Sequence, residues 1–223
     1  MDEPHVAIVD YGLGNLFSVQ RACEHAGLSA SITPDPERVR RADGVVLPGV
    51  GAFGDAMDTL RRRGLVQALR EASASQKPLM GVCLGIQLLM SESSEFGRHE
   101  GLGILKGRVV RFEGPREGER ILKVPQVCWN EVRARPGVSW AGTPLEGLND
   151  GEHLYFVHSF FVQPEDASVI LTTTRYGHVE FCSSVLRGNL FACQFHPERS
   201  GPTGLAVYRN WAAIVKRHRQ GAK

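Results

Sequence analysis

The sequence predicts an α/β fold: a mostly parallel, three-layer sheet with an antiparallel extension in the C-terminal half. Three observations predict it. In the first half, short apolar runs alternate with longer segments whose apolar residues recur at helical spacing. In the second half, strand-like runs follow one another and are separated mainly by turns and loops. The length of 223 residues suits one domain, residues 1–223, with a substantial core.

The first half alternates strands with helices. Its predicted strands are residues 5–10, 28–33, 44–47 and 78–82, and its predicted helices are residues 15–26, 54–73 and 84–90. The strand at 28–33 is less apolar than the others, so we expect it nearer a sheet edge. Continuous apolar strands separated by helices are typical of a parallel sheet that is covered on both faces. We therefore expect a flavodoxin-like arrangement with right-handed crossovers.

The second half is predicted to be richer in strands. They are residues 108–112, 155–161, 169–174, 180–185 and 190–195, and a closing helix follows at 203–217. Residues 187–189 have the composition of a hairpin turn between the last two strands. The polar segment 114–118 and the Gly- and Pro-containing segment 135–151 are predicted to be loops.

Composition and charge exclude several classes of protein. The net charge of +2 gives no reason to expect binding to nucleic acid or to an anionic membrane. No apolar run approaches the roughly 20 residues that a membrane span requires. The acidic residues 1–4 lack the features of a signal peptide, so we expect a cytoplasmic location.

Cysteine and glycine spacing narrows the expected chemistry. The five cysteines are odd in number and none form a C-x-x-C pair, which argues against a disulfide framework and a zinc site. The loop at 11–15 has two of the glycines of a dinucleotide motif, but it lacks the third glycine and the acidic residue that should follow. We therefore expect no metal and no cofactor.

Cys83 lies between Gly81 and Gly85 in a Gly-x-Cys-x-Gly motif, at the junction of a predicted strand and helix. This pattern is the thiol counterpart of the nucleophile elbow, a sharp turn that only small flanking residues allow. The helix N-terminus supplies N–H groups that stabilise an anion there. Taken alone, the motif also fits an ordinary buried cysteine.

His196 ends a predicted strand and is followed by Pro197 and Glu198. The residue before a proline is held extended, and side chains two apart in an extended segment point the same way. Glu198 should therefore lie beside His196 and orient its ring, as the third member of a catalytic triad does. His-Pro-Glu seen alone fits a surface ion pair; the combination with a cysteine elbow favours acyl transfer.

Two more features fit a nucleophilic site. The loop containing Gly49, Val50 and Gly51 follows a predicted strand, and its N–H groups, with that of Leu84, are candidates to bind an oxyanion. Gln87 lies one helical turn beyond Cys83, so its amide should project near the nucleophile. The alternatives are an ordinary strand-to-helix turn and a core amide bonded to the backbone.

These residues resemble the class I (triad) glutamine amidotransferase family and, within it, the glutaminase subunits of imidazole glycerol phosphate synthase. The matching segments run in the family's order over almost the whole chain: residues 10–15, 48–57, 81–89, 100–103, 129–130, 155–159 and 194–198. The class motifs are specific for the activity. The segment 48–57 and Ile86 indicate this member of the class.

The resemblance implies a role for each site residue. Cys83 would be the nucleophile, His196 the general base and acid, and Glu198 the residue that orients it. The substrate L-glutamine would be held by Gly49, Val50, Gly51, Leu84, Gln87, Ser159 and Phe160. The partner would be a (β/α)₈ cyclase subunit that receives ammonia and forms imidazole glycerol phosphate and an aminoimidazole carboxamide ribonucleotide.

The sequence departs from the family's pattern at two places. Val127 and Cys128 stand where methionine and glycine are usual, in a segment expected near the partner surface. Arg199 replaces a lysine after the glutamate, and a guanidinium does not hydrogen-bond as an ammonium does. Both departures bear on how the partner docks.

Three rival hypotheses remain open from the sequence. The first is the glutaminase subunit of another amidotransferase, serving anthranilate, aminobenzoate or pyridoxal phosphate synthesis. The second is a cysteine peptidase or hydrolase on a related scaffold. The third is a non-catalytic regulatory subunit, which the intact Cys83, His196 and Glu198 disfavour.

Overall fold

The computed structural model describes residues 3–221. The elements of its first half are, in chain order, β1 (His5–Val9), α1 (Leu16–His25), β2 (Ser29–Thr33), α2 (Pro36–Arg41), β3 (Gly44–Gly49), α3 (Phe53–Arg62), α4 (Leu65–Ala74), β4 (Leu79–Cys83) and α5 (Leu84–Leu88).

The second half consists mainly of strands. They are β5 (Glu92–Ser93), β6 (His99–Glu100), β7 (Gly107–Arg111), β8 (Arg116–Glu117), β9 (Arg120–Ile121), β10 (Gln126–Ala134), β11 (Glu152–His158), β12 (Phe160–Pro164), β13 (Ile170–Tyr176), β14 (Val179–Arg187) and β15 (Leu190–Cys193), and they are followed by the long helix α6 (Gly201–Gly221). Two 3₁₀ turns cover Ala167–Val169 and Pro197–Arg199.

One sheet joins the two halves of the chain. Its order is β2-β1-β3-β4-β15-β14-β12-β7-β5-β6, and the first five strands are mutually parallel. That part has the 2-1-3-4-5 order of flavodoxin-like sheets. From β15 onward to β7 the neighbours are antiparallel, and β10, β11 and β13 extend this part further. The predicted fold class is confirmed.

Helices cover both faces of the parallel strands, as the continuous apolar pattern predicts. Successive residues of β1 alternate between the two cores: Ala7 and Val9 belong to one, Val6 and Ile8 to the other. The first core lies against α2, α3 and α4, and the second against α1 and α6, whose Trp211 is fully buried. Burying a large aromatic side chain contributes about 1.5–3 kcal/mol of hydrophobic stabilisation.

Most predicted elements are present, and the prediction that strand 28–33 lies at an edge is confirmed, because β2 ends the sheet. The hairpin at 187–189 is also confirmed, with Gly188 at a φ of 58°. The predicted helix 54–73 is two helices, because Gly64 has a left-handed φ of 69° between them.

Other expectations from the sequence were wrong or incomplete. The predicted strand 155–161 is two strands, β11 and β12, which pair with different neighbours. The predicted loop 114–118 holds β8 of a small hairpin, and helix α2 and strand β10 were not predicted. Helix α2 carries a recognisable start signal, since Asp35 accepts a hydrogen bond from the N–H of Glu37 and Pro36 follows it.

The carboxyl ends of the parallel strands lie along one side of the sheet, and the site is located there. There β3 pairs with β4 so that Gly49 lies opposite Cys83, and β15 lies on the other side of β4. Within residues 3–221, no helix has both the length and the apolar character needed to cross a membrane.

Candidate active site

Cys83 occupies a strained turn between β4 and α5. Its φ of 53° and ψ of −107° lie in a region that residues with a side chain rarely adopt. The flanking glycines are required by packing. A Cβ at Gly85 would lie 1.9 Å from the carbonyl oxygen of Leu47, and a Cβ at Gly81 would lie 2.9 Å from the Cβ of Ala192. The predicted elbow is therefore present in the fold.

His196 and Glu198 form a buried pair just beyond β15. His196 has extended φ and ψ, and its Nδ1 lies 2.7 Å from Oε1 of Glu198 in the 3₁₀ turn that follows. Their side chains are only 5% and 1% exposed, so the pair is not the surface ion pair that His-Pro-Glu alone would suggest. The side-by-side arrangement predicted from the two-residue spacing is confirmed by this contact.

Backbone contacts hold His196 in place. Its N–H donates to the carbonyl of Tyr155 at 2.9 Å, and its own carbonyl accepts from the hydroxyl of Ser200 at 2.7 Å. The hydroxyl of Ser200 in turn accepts from the N–H of Tyr155 at 3.0 Å. Strand β11 thereby fixes the position of the imidazole relative to the sheet. Arg199, the departure from the usual lysine, lies with its guanidinium 4.8 Å from the centre of the Tyr155 ring.

The electrostatics of His196 show that Cys83 is its neighbour. Burial lowers the pKa of this imidazole, but the adjacent Cys83 and then Glu198 outweigh burial and raise it to about 10. Nε2 of His196 is buried and makes no hydrogen bond of normal geometry. The chain thus brings residues 83 and 196 together, with Nδ1 of the ring held by Glu198 and Nε2 buried on the other side of the ring.

A cavity of about 230 Å³ opens beside Cys83. It is smaller than the roughly 300–1,000 Å³ typical of drug-sized ligands, which suits a small amino acid. Its lining residues are Val50, Gly51, Cys83, Leu84, Gln87, Glu95, Val157, His158, Ser159 and Phe160. Six of the seven predicted substrate-binding residues are therefore at this cavity. The seventh, Gly49, lies opposite Cys83 in the β3–β4 ladder.

The loop after β3 is packed against the turn that follows β1. The hydroxyl of Tyr11 donates to the carbonyl of Pro48 at 2.7 Å, and a Cβ at Gly49 would lie 1.8 Å from that hydroxyl oxygen. Burial, followed by the proximity of Cys83, raises the pKa of Tyr11 above its usual range. The glycine-containing turn rejected as a dinucleotide site thus supports the candidate oxyanion loop.

Sequence reasoning missed two residues at the site, Glu95 and Gln194. Glu95 lines the cavity, and its Oε2 accepts from the N–H of Phe53 at 2.6 Å, which caps α3. Gln194 is fully buried, with Nε2 3.7 Å from Sγ of Cys83. Gln194 lies two residues before His196, so the spacing rule that paired His196 with Glu198 would also have placed its side chain on the same side of the chain. His158, which the sequence allows either as a core histidine or as a neighbour of the site, also lines the cavity. Gln87 lies at the cavity and is hydrogen-bonded to the carbonyl of Phe160 and to Gln194.

This fold and this grouping of cysteine, histidine and glutamate define a glutamine amidotransferase of class I, and the model of that family matches residues 7–214. Imidazole glycerol phosphate synthase subunit HisH of Syntrophotalea carbinolica is 48% identical over 92% of this chain and 98% of that protein. HisH of Rhodopirellula baltica is 49% identical over 93% of this chain and 96% of that protein. The chain belongs to the class-I glutamine amidotransferase family and, within it, groups with the HisH subunits.

Solved structures of low sequence identity share the fold. PurLQS from Thermotoga maritima superimposes with a TM-score of 0.71 at 21% identity, over 96% of this chain and 99% of that chain. A solved glutamine amidotransferase gives a TM-score of 0.70 at 19% identity, over 95% of this chain and 98% of that chain. At such identities the likeness concerns the fold alone.

Proposed function

We propose that this chain is the glutaminase subunit of an imidazole glycerol phosphate synthase and hydrolyses L-glutamine to glutamate and ammonia through a thioester on Cys83. The ammonia passes to a (β/α)₈ cyclase subunit, which forms imidazole glycerol phosphate and aminoimidazole carboxamide ribonucleotide. The observation that carries the proposal is the buried His196–Glu198 pair, 2.7 Å apart, adjacent to a cysteine in an elbow that opens on a small cavity. The subunit acts in the cytoplasm.

In the first half of the reaction, Sγ of Cys83 attacks the side-chain amide carbon of glutamine. The carbonyl oxygen becomes an oxyanion, for which the N–H groups of Leu84 and of the Val50–Gly51 loop are the candidate donors. His196 gives its proton to the amide nitrogen, the C–N bond breaks, and ammonia leaves. Glu198 keeps the ring oriented throughout.

In the second half, water attacks the thioester. His196 takes a proton from the water, a second tetrahedral oxyanion forms, and the C–S bond breaks to release glutamate and restore the Cys83 sulfur. The nucleophile and the candidate oxyanion donors line the cavity, and the buried His196 acts on it as the neighbour of Cys83. No cofactor is needed, because the chemistry is acyl transfer between a thiol and water.

Charge at the cavity supports binding of an amino acid. Glu95 contributes a carboxylate to the lining, and only its Oε2 is engaged by the N–H of Phe53. We assign it to the α-ammonium of glutamine, and the backbone around Ser159 and Phe160 to the α-carboxylate. The N–H groups of Gln87 are engaged with Phe160 and Gln194, so its role in binding falls to the amide oxygen.

The test is a glutaminase assay of Cys83→Ala with a candidate cyclase and its nucleotide ligand present. We expect no turnover, because the nucleophile is gone. A glutamine-like diazo ketone should label Cys83 in the unmodified chain, and the matched variant Cys128→Ser, which removes the half-buried cysteine, should label equally. Turnover near the wild-type level in Cys83→Ala would overturn the assignment.

A further inference from the structure

The side-chain amide of Gln194 contacts the sulfur of Cys83. Gln194 is fully buried, its Nε2 lies 3.7 Å from Sγ, and its Oε1 lies 3.1 Å from Nε2 of Gln87. A buried amide normally satisfies its hydrogen bonds within the protein. Here one of its bonds goes to the atom that reacts, across 111 positions of sequence.

The direction of this amide is set by a chain of contacts that starts at a backbone carbonyl. The carbonyl of Phe160 can only accept, and it takes one hydrogen bond from Gln87 Nε2 at 3.0 Å and another from His158 Nδ1 at 2.8 Å. Gln87 must therefore turn its nitrogen towards Phe160. That nitrogen also contacts Gln194, which must then present its oxygen to Gln87 and its nitrogen to Cys83.

We propose that Gln194 is a further catalytic residue, whose side-chain N–H donates to the sulfur of Cys83, and that Gln87 is a positioning residue that fixes the direction of this donor. The proposal rests on Cys83 being the nucleophile, as proposed above. A donor at the sulfur stabilises negative charge there and holds the sulfur in one orientation beside His196. The same N–H also faces the sulfur when the thioester is hydrolysed and charge returns to it.

A second glutamine–cysteine pair in this chain supplies a matched control. Gln126 is fully buried and its Nε2 lies 3.5 Å from Sγ of Cys128, outside the cavity beside Cys83. Oε1 of Gln126 has no partner among the described residues, so no relay, that is, no chain of hydrogen bonds like the one from Phe160 through Gln87 to Gln194, sets the direction of this amide. Gln126→Glu makes the same chemical change as Gln194→Glu, but beside Cys128, a cysteine that the reaction does not use.

The experiment measures the alkylation rate of Cys83 by iodoacetamide between pH 5 and 9, with mass spectrometry to separate it from the other cysteines. In Gln194→Met, which keeps the volume but lacks the donor, we expect alkylation of Cys83 to slow by about tenfold, the usual order for a lost hydrogen bond to a charged group. In Gln194→Glu, the ratio of variant to wild-type rates should fall as the pH rises, because the new carboxyl donates only while protonated. In Gln126→Glu, the Cys83 rate should stay within about twofold of wild type.

Gln87→Met tests the relay, because it frees Gln194 to turn. We expect slower Cys83 alkylation than wild type but faster than Gln194→Met. Near-UV circular dichroism reports whether each variant keeps the packing of the native state. If Gln194→Met loses that packing, the test rests on the nearly isosteric Gln194→Glu.

Two results would overturn the proposal: wild-type alkylation of Cys83 in a folded Gln194→Met, or a ratio for Gln194→Glu that does not change with pH. Either would leave the proposed function intact as long as the diazo ketone labels Cys83 in the unmodified chain. Absence of that label would overturn the proposed function itself.

Discussion

At the scale of single residues, two buried histidines of the site have pKa values shifted in opposite directions. Burial lowers the pKa of an imidazole because the charged form loses its water. At His158 burial outweighs the hydrogen bond to Phe160, and the pKa falls to about 4. At His196 burial is outweighed by Cys83 and Glu198, and the pKa rises to about 10. The positive charge of the site therefore belongs to His196, and His158 stays neutral.

This difference predicts the titration of the two rings. In Cys83→Ser the pKa of His196 should fall, because the neighbour that raises it most has been removed. In Glu198→Gln it should fall less. NMR of the ¹⁵N-labelled imidazoles measures both, and His158 serves as the internal control, since it should remain neutral from pH 6 upward in every variant. A His196 titration that does not move in Cys83→Ser would contradict the assignment of Cys83 as its main partner.

At the scale of elements, the site lies at the ends of β3 and β4, where the glycines at and beside the turns leave no room for a Cβ. Gly49 ends β3 opposite Cys83, and there is no room for a Cβ between it and Tyr11. The hydroxyl of Tyr11 in turn holds the carbonyl of Pro48. The loop that supplies the candidate oxyanion donors is therefore anchored at its first residues, while Val50 is 42% exposed and Gly51 has a φ of 103°.

Gly49→Ala should destabilise the chain by about 1–3 kcal/mol, the usual cost of forcing an extra methyl group into a packed region. Its Cβ would lie 1.8 Å from the hydroxyl oxygen of Tyr11. The double variant Gly49→Ala/Tyr11→Phe should recover part of the loss, since the closest atom is gone. Urea unfolding of wild type, both single variants and the double variant measures the coupling. Strictly additive losses would show that the two residues do not compete for this space.

At the scale of the whole molecule, the site depends on a strand from the second half entering the sheet of the first. Strand β15 pairs with β4 in parallel, with Leu190 opposite Leu79 and Cys193 opposite Val82. This register brings the elbow and the residues after β15 to the same edge. The carboxyl ends of parallel strands are where ligands bind in such sheets. We propose that residues 1–223 form one domain for this reason, because the nucleophile and the base come from different halves.

An isolated subunit that hydrolysed glutamine freely would waste it, so we expect low glutaminase activity alone and strong stimulation by the ligand-bound cyclase. Coupling between two sites typically amounts to about 1–3 kcal/mol, or roughly 5- to 150-fold. The glycines of the loop after β3 make it the natural element to switch between two arrangements.

The measurement is an assay of ammonia release with the chain alone, with the cyclase, and with the cyclase and its nucleotide ligand. Full activity from the chain alone would rule this switch out. Unchanged activity on adding the liganded cyclase would rule out the coupling.

Local sequence determined a large part of this protein. The apolar periods predicted the parallel strands and their helices, the glycines around Cys83 predicted the elbow, and the spacing of His196 and Glu198 predicted their contact. These predictions were correct because each feature depends on the backbone geometry of a few consecutive residues.

Tertiary structure alone decided which distant groups meet. The cap that Glu95 provides for Phe53 and the direction of the Gln194 amide at Cys83 depend on strand pairing and loop packing across 42 and 111 positions. The division of the predicted strand 155–161 arises in the same way, since β11 and β12 find different partners. No local pattern carries this information, because the free energy of such contacts comes from burial and hydrogen bonding between segments that approach only in the folded sheet.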